Sequence, residues 1–254
     1  MTRRAASLLL AASSLLLLAQ AKPVLVPDIS SRSVEIRYSF SGAQLLLFGA
    51  ILYPRGRAPE RPADIVVVLR GPVQPIVLRE KQKLAGIWMN ADSNRFRSAP
   101  SFYAVASSRP INQLVDERTA AIYELGLPWL QLSPIGAIDP QQQARFSAGL
   151  VDLMRRQELY QQDEDAVKVS GGVLYQARIA LPSNVATGTY TAETFAISRG
   201  KVVAAASTTV AVRKLGFERF VADQADRNGL WYGITVVLLS VFMGWIAGRL
   251  FALV

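Results

Sequence analysis

The chain has 254 residues, with 28 Lys and Arg against 19 Asp and Glu, and it contains neither His nor Cys. Those two absences exclude disulfides, thiol nucleophiles, a Ser-His-Asp arrangement and the usual zinc and copper ligands. The formal net charge of +9 makes an anionic partner the natural complement, whether lipid head groups, an acidic protein or a small anion.

Arg3 and Arg4 precede the apolar stretch 5–19, and Ala19-Gln20-Ala21 then offers small residues where a signal peptidase reads. Residues 1–21 therefore predict a secretory signal peptide cleaved after Ala21, with an uncleaved signal anchor as the alternative. Either reading exports the middle of the chain, which argues against nucleic acid as a partner. Cleavage would leave 26 Lys and Arg against 19 Asp and Glu, a net +7.

Val34, Ile36, Tyr38 and Phe40 alternate with Ser33, Glu35, Arg37 and Ser39, the period of two expected of a strand with one wet face. The apolar run 44–53 comes after Ser41-Gly42, which suits a turn. After a Pro-punctuated loop at 55–62, the β-branched DIVVVLR of 64–70 reads as a short buried strand. Gly71-Pro72 closes it, and further short strands fit 76–80, 86–90 and 102–107.

The period changes at 110–125, where apolar residues at 111, 114, 115, 122 and 125, closed by Gly126, predict a helix. Asp139-Pro140 starts a second one, and Gln142 stands three residues after the Asp to complete a capping box. Phe146, Leu150, Leu153, Met154 and Leu159 give it an apolar stripe, read as core contact. Strands return at 173–181, 189–198 and 202–213, joined by 182–188 and by Arg199-Gly200.

The expected fold class is mainly β: an immunoglobulin-like antiparallel β-sandwich with an inserted helical pair, plus one C-terminal transmembrane α-helix. The expected order is a signal peptide at 1–21, β-rich exported regions at 22–109 and 162–213, and a helical insertion at 110–161. A juxtamembrane segment at 214–228 and a transmembrane helix at 229–251 complete it. Pattern leaves open whether the two β-rich regions share one sandwich.

No charge interrupts the 21 residues 228–248. About 20 apolar residues at ~1.5 Å rise cross the ~30 Å hydrocarbon core of a bilayer. Trp231 and Tyr232 sit at one end, where aromatic rings favour the interface, and Arg249 sits at the other, able to snorkel. This predicts a single-pass protein of the bacterial inner membrane, its bulk periplasmic and its C-terminus cytoplasmic. Gly229 with Gly233, and Gly244 with Gly248, match the G-x-x-x-G spacing that lets membrane helices approach closely. They are candidate packing positions toward a membrane-protein partner or a second copy. The segment 215–225, with Phe217, Phe220 and Val221 amid Arg219 and Asp223, suits either a membrane-surface helix or an extension of the span.

The chemistry that remains is thin. Asp163-Glu164-Asp165 lacks the spacing of a calcium loop and reads as a solvated turn. Ser198-Arg-Gly-Lys201 matches S-x-x-K, but it falls on an expected hairpin rather than on the helical turn that motif needs. No phosphate loop or dinucleotide fingerprint occurs. The expectation is a non-enzymatic protein without cofactor or metal.

The most suggestive region runs from 70 to 109. It holds Arg70, Arg79, Lys81, Lys83, Arg95, Arg97 and Arg109 against only Glu80 and Asp92, with Trp88, Phe96, Phe102 and Tyr103 among them. Arg79, Lys81, Lys83, Trp88, Arg95 and Arg97 are the candidate anion or partner surface, since Arg forks match oxyanions and aromatics anchor interfaces. Alternation along strands is expected to scatter half of the seven cations onto the far face.

FSGAQLLLFGA (40–50), VVVLRGP (66–72), LAGIWMN (84–90), PSFYAVASSRP (100–110), LPSNVATGTY (181–190), VRKLGFERF (212–220) and GWIAGRLF (244–251) occur in that order. On these stretches the chain resembles the alphaproteobacterial putative transmembrane protein family, over almost the whole mature length. The resemblance implies a signal-bearing protein with one C-terminal span. It implies no activity and no catalytic residues, and it suggests a transporter as neighbour. The expected role is therefore that of a membrane-anchored periplasmic accessory protein partnering a membrane transporter or envelope assembly; the alternative is a membrane-anchored binding module for a small anion.

Overall fold

The computed structural model describes residues 22–36, 42–54, 56, 58–136, 139–214 and 225–251. The expected signal peptide, the second half of the 34–40 strand and most of the juxtamembrane segment lie outside the described residues. The chain divides into a body within 1–34 and 41–212, and a second unit, 35–40 with 213–254, that carries the apolar helix.

In chain order, the strands are β1 (Val24–Ile29), β2 (Ser33–Ile36), β3 (Ala43–Leu52), β4 (Asp64–Arg70), β5 (Val73–Leu84), β6 (Ile87–Pro100) and β7 (Tyr103–Ser107). Two short helices come next, α1 (Ile111–Leu114) and α2 (Glu117–Tyr123), then β8 (Ser133–Pro134) and the long α3 (Pro140–Arg156). The strands resume with β9 (Tyr160–Asp163), β10 (Val167–Ser170), β11 (Leu174–Leu181), β12 (Gly188–Ser198) and β13 (Lys201–Lys214), and α4 (Gly229–Phe251) comes last.

The protein is mainly β. One sheet has the order β1-β3-β11-β10, a second β2-β13-β12-β4-β7-β9, and a third β5-β6-β8. The described registers are antiparallel except β7 with β9, which are parallel and joined by the crossover that holds the helices. Strands from before and after the helices are interleaved: β3 lies between β1 and β11, and β12 between β13 and β4. The two β-rich stretches therefore share their sheets.

The first two sheets meet face to face. The Tyr175 hydroxyl on β11 reaches Thr194 Oγ1 on β12 at 3.5 Å. Leu45, Leu47 and Ile51 of β3 and Ala177, Ile179 and Leu181 of β11 are buried. On the far side of the second sheet, the Tyr123 ring lies 5.4 Å from that of Phe195. There the Tyr103 hydroxyl donates to the Glu124 carbonyl and accepts from the Gly126 N–H. Covered on both faces, β4 has Ile65 to Leu69 wholly buried, which is why its sequence is an unbroken apolar run rather than an alternating one.

The expected single helix at 110–125 is two. Val115 is extended at φ −142 and ψ 158, and its β-branched side chain precedes an Asp suited to capping. Asp116 restarts the helix by accepting from the Thr119 N–H at 3.0 Å. At α3, Asp139 accepts from the Gln142 N–H at 3.2 Å. The reciprocal half of the expected capping box is diverted, since Gln142 Nε2 donates to Asp92 Oδ2 at 2.6 Å. Phe146, Leu150 and Met154 are buried beneath α3, while Leu153 stays 41% exposed. At the β12–β13 turn both Arg199 (φ 51) and Gly200 (φ 76) are left-handed, the geometry a two-residue hairpin requires.

Candidate functional site

The short strands expected at 76–80 and 86–90 are parts of one long arm. β5 and β6 pair from Val73 with Pro100 to Leu84 with Ile87 and turn on Ala85 (φ 49) and Gly86 (φ 86). The register shifts at Pro75, which has no N–H to give a ladder, and again beside Ala91. Near the body, one face of the arm lies under α3: Asn94 and Phe96 are buried. On that face Arg145 of α3 reaches Glu80 at 3.2 Å and Asp92 at 3.1 Å. Both acids of the arm are thus taken up by one guanidinium.

The cations fall on the other parity. Val77 stands opposite Arg95, so Arg79, Lys81 and Lys83 along β5 and Arg95 and Arg97 along β6 belong to one face by strand alternation. This corrects the expected scatter: the five positions are separated by even steps on each strand, and the register matches the two sets. All five are exposed, and none makes an ion pair among the described residues. Trp88, opposite Lys83, is 67% exposed.

Two of the seven cations are structural. Arg70, on the opposite parity of β4 from Leu69, reaches Glu193 at 3.2 Å and Glu124 at 3.4 Å, and it donates to the Tyr123 carbonyl at 3.3 Å. It ties β4, β12 and the end of α2 together. Arg109 Nε donates to Asp64 at 2.9 Å, and that carboxylate holds the guanidinium pKa above its ordinary value.

A groove of about 920 Å³ runs between the arm and α3. Leu78, Phe146 and Leu153 give it an apolar floor, and Arg79, Lys81 and Trp88 border it from the arm. Arg156 on its helical side is already paired with Asp152 at 2.9 Å. The groove thus sets cations that make no ion pair among the described residues beside apolar surface.

α4 is one continuous 23-residue helix, and Gly229–Arg249 is long and apolar enough to cross a membrane. At about 100° per residue, Gly229, Gly233, Gly244 and Gly248 fall within an arc of about 100°. Ser240 and Ala247 lie in the same arc, together with Leu230 and Val237, while Trp231, Leu238, Phe242 and Trp245 lie opposite. A Cβ at any of the four glycines would meet nothing within 4 Å.

None of the curated proteins matches the sequence. Among solved structures, that of Spo0M, a sporulation control protein from Bacillus subtilis, is similar over 82% of this chain and 56% of that one, at 8% identity and a TM-score of 0.29. The chain thus spans little more than half the length of that protein, and a likeness so low carries no argument. A family model described as "Putative transmembrane protein (Alph_Pro_TM)" matches residues 24–252. With its mainly β body and one candidate span among the described residues, Gly229–Arg249, the chain belongs to this family of transmembrane proteins and is membrane-anchored.

Proposed function

We propose that the protein is a non-enzymatic accessory protein of the bacterial inner membrane. Its β body is exported to the periplasm, its C-terminus stays in the cytoplasm, and it serves a membrane transporter or an envelope assembly. The signal-like residues 1–21 support export. The small-residue side of α4 supports a helix partner, because close backbone approach is what drives association where lipid removes the hydrophobic incentive. The observation that carries the reading is the arm: five cations unpaired among the described residues, on one face of a long hairpin, form an exposed basic contact surface.

Crosslinking in cells, purification from native membranes and mass spectrometry test this. The expected result is a recurring membrane protein, recovered with the wild type and lost with Gly244→Leu/Gly248→Leu. Recovery of the protein alone, or of a partner indifferent to that double substitution, would count against the reading.

The groove beside α3 favours a second reading, a binding module for a small anion held by Arg79 and Lys81. Titration of the detergent-solubilised protein with sulfate, sulfite and phosphate decides it. Absence of a saturable signal at millimolar concentration removes the anion site.

A further inference from the structure

We infer that the tip of the β5–β6 arm inserts into the surface of the anionic phospholipid bilayer that anchors the protein. From Lys81 to Ala91 every residue whose side chain is described is exposed. Within that stretch Ile87, Trp88 and Met89 are 71%, 67% and 50% exposed. Three consecutive apolar residues on a strand point to both of its faces in turn, so no single packing surface on the body could cover them all. A bilayer interface surrounds a protruding tip and covers both faces at once. Trp88 suits that depth, since its ring is apolar and its N–H is polar.

The charges are graded to match. At ~3.3 Å per strand residue, Lys83 lies about 3 Å and Lys81 about 10 Å from the last pair of the ladder, whereas Arg95, opposite Val77, lies about 23 Å away. An anionic surface attracts Lys and Arg within a Debye length, ~8 Å at physiological salt. Lys81 and Lys83 therefore act on head-group phosphates when the tip is inserted, and Arg95 and Arg97 act weakly. The acids Glu80 and Asp92 are held by Arg145 and do not oppose the approach. The tether favours the same membrane. Only residues 215–228 separate β13 from α4, and a covalent link raises the effective concentration of the body at the membrane that holds its anchor.

The inference rests on the membrane anchorage of the proposed function, not on the identity of a protein partner. Because the chain has no Cys, single labels are clean. Full-length Met89→Cys and Leu239→Cys variants, each carrying an NBD fluorophore, are reconstituted into phosphatidylcholine vesicles with or without 30% phosphatidylglycerol, using brominated acyl chains as quencher. The expected result is quenching at position 239 in both compositions, and at position 89 only with phosphatidylglycerol. Lys81→Gln and Lys83→Gln should each lower the inserted-to-free ratio at position 89 about fivefold, and Arg95→Gln/Arg97→Gln less than twofold. Quenching at 239 but not at 89 overturns the inference and leaves the anchor standing. Emission at 89 shifted to the blue without quenching also overturns it, in favour of a protein surface. So does equal insertion into both compositions, or an Arg95/Arg97 effect as large as that of the lysines. Quenching at neither position overturns the anchor as well.

Discussion

Arg145 on α3 and Asp92 on β6 meet at 3.1 Å, and the same guanidinium reaches Glu80 on β5 at 3.2 Å. One helical side chain thus clasps both strands of the arm where it leaves the body. Arg145 is 55% exposed, and exposed ion pairs contribute up to about 1 kcal/mol. Arg145→Gln should lower global stability by less than that, yet loosen the arm. Hydrogen exchange read by mass spectrometry checks this: amides within 76–96 should exchange faster while those of β4 and β12 keep their rates. An unchanged arm would mean that packing under α3, not charge, sets its angle.

Tyr103 fastens the turn after α2 to β7 through two hydrogen bonds, donating to Glu124 and accepting from Gly126 at 3.0 Å. Tyr103→Phe keeps the ring and leaves a buried N–H and a carbonyl without their partner. The expected loss is about 1–3 kcal/mol, measured by chemical denaturation of the detergent-solubilised protein. A loss near zero would show that the turn re-forms its bonds elsewhere.

Gly49 lies where β3 passes between β1 and β11. A Cβ there would sit 2.4 Å from the Val26 carbonyl oxygen and 2.5 Å from the Tyr175 hydroxyl. Because the first obstacle is backbone, relief requires the strands to part. Gly49→Ala should cost stability at the upper end of the ~1–3 kcal/mol seen for overpacking, and it should disturb the Tyr175–Thr194 contact between the sheets. Gly244→Ala, with open space around it, is the comparison expected to change stability little.

Burial pushes the Tyr190 phenol up to about 12, and it likewise raises Tyr103, Tyr160 and Tyr175. The unfolded chain releases these protons near pH 10, whereas the folded body retains them. Their contribution is therefore fully present below about pH 10 and is lost as pH rises through the folded values. Denaturation midpoints measured from pH 8 to pH 11.5 should be flat and then fall. Tyr190→Phe should make the fall shallower while lowering the plateau, because the hydroxyl's bond to the Ala186 carbonyl at 2.7 Å is lost.

The elements most legible in the sequence are those whose cause is local. The run DIVVVLR is β4 residue for residue, the Asp139 cap and the stripe through Phe146, Leu150 and Met154 mark α3, and Arg199-Gly200 makes the hairpin. The arm was obscured because Pro75 and the polar residues around 90–93 interrupt any strand pattern, while pairing with the partner strand carries the ladder past them. In the sequence Arg70 is one more of the seven cations between 70 and 109. The acids that claim it, Glu124 and Glu193, come from a distant turn and a distant strand, so only the fold distinguishes it from Arg79. What could be read off 79, 81, 83, 95 and 97 is their shared parity. The register that brings both sets to one face depends on a turn at Ala85-Gly86 that contains a non-glycine left-handed residue, and composition gives little warning of that.

The interleaving of early and late strands also governs the timing of assembly. Until residues beyond 173 arrive, β3 has only β1 beside it, and β4 has only β7 and β9 on one side. Each then presents a bare edge of backbone donors and acceptors, the kind that recruits stray chains. Closing those edges needs β11 and β12, which pair with segments more than 100 positions earlier in the chain, and contacts of such long range form slowly. Completion of the body therefore waits for the stretch made just before the anchor, so the protein is most vulnerable to misassembly in the interval before its last strands are delivered.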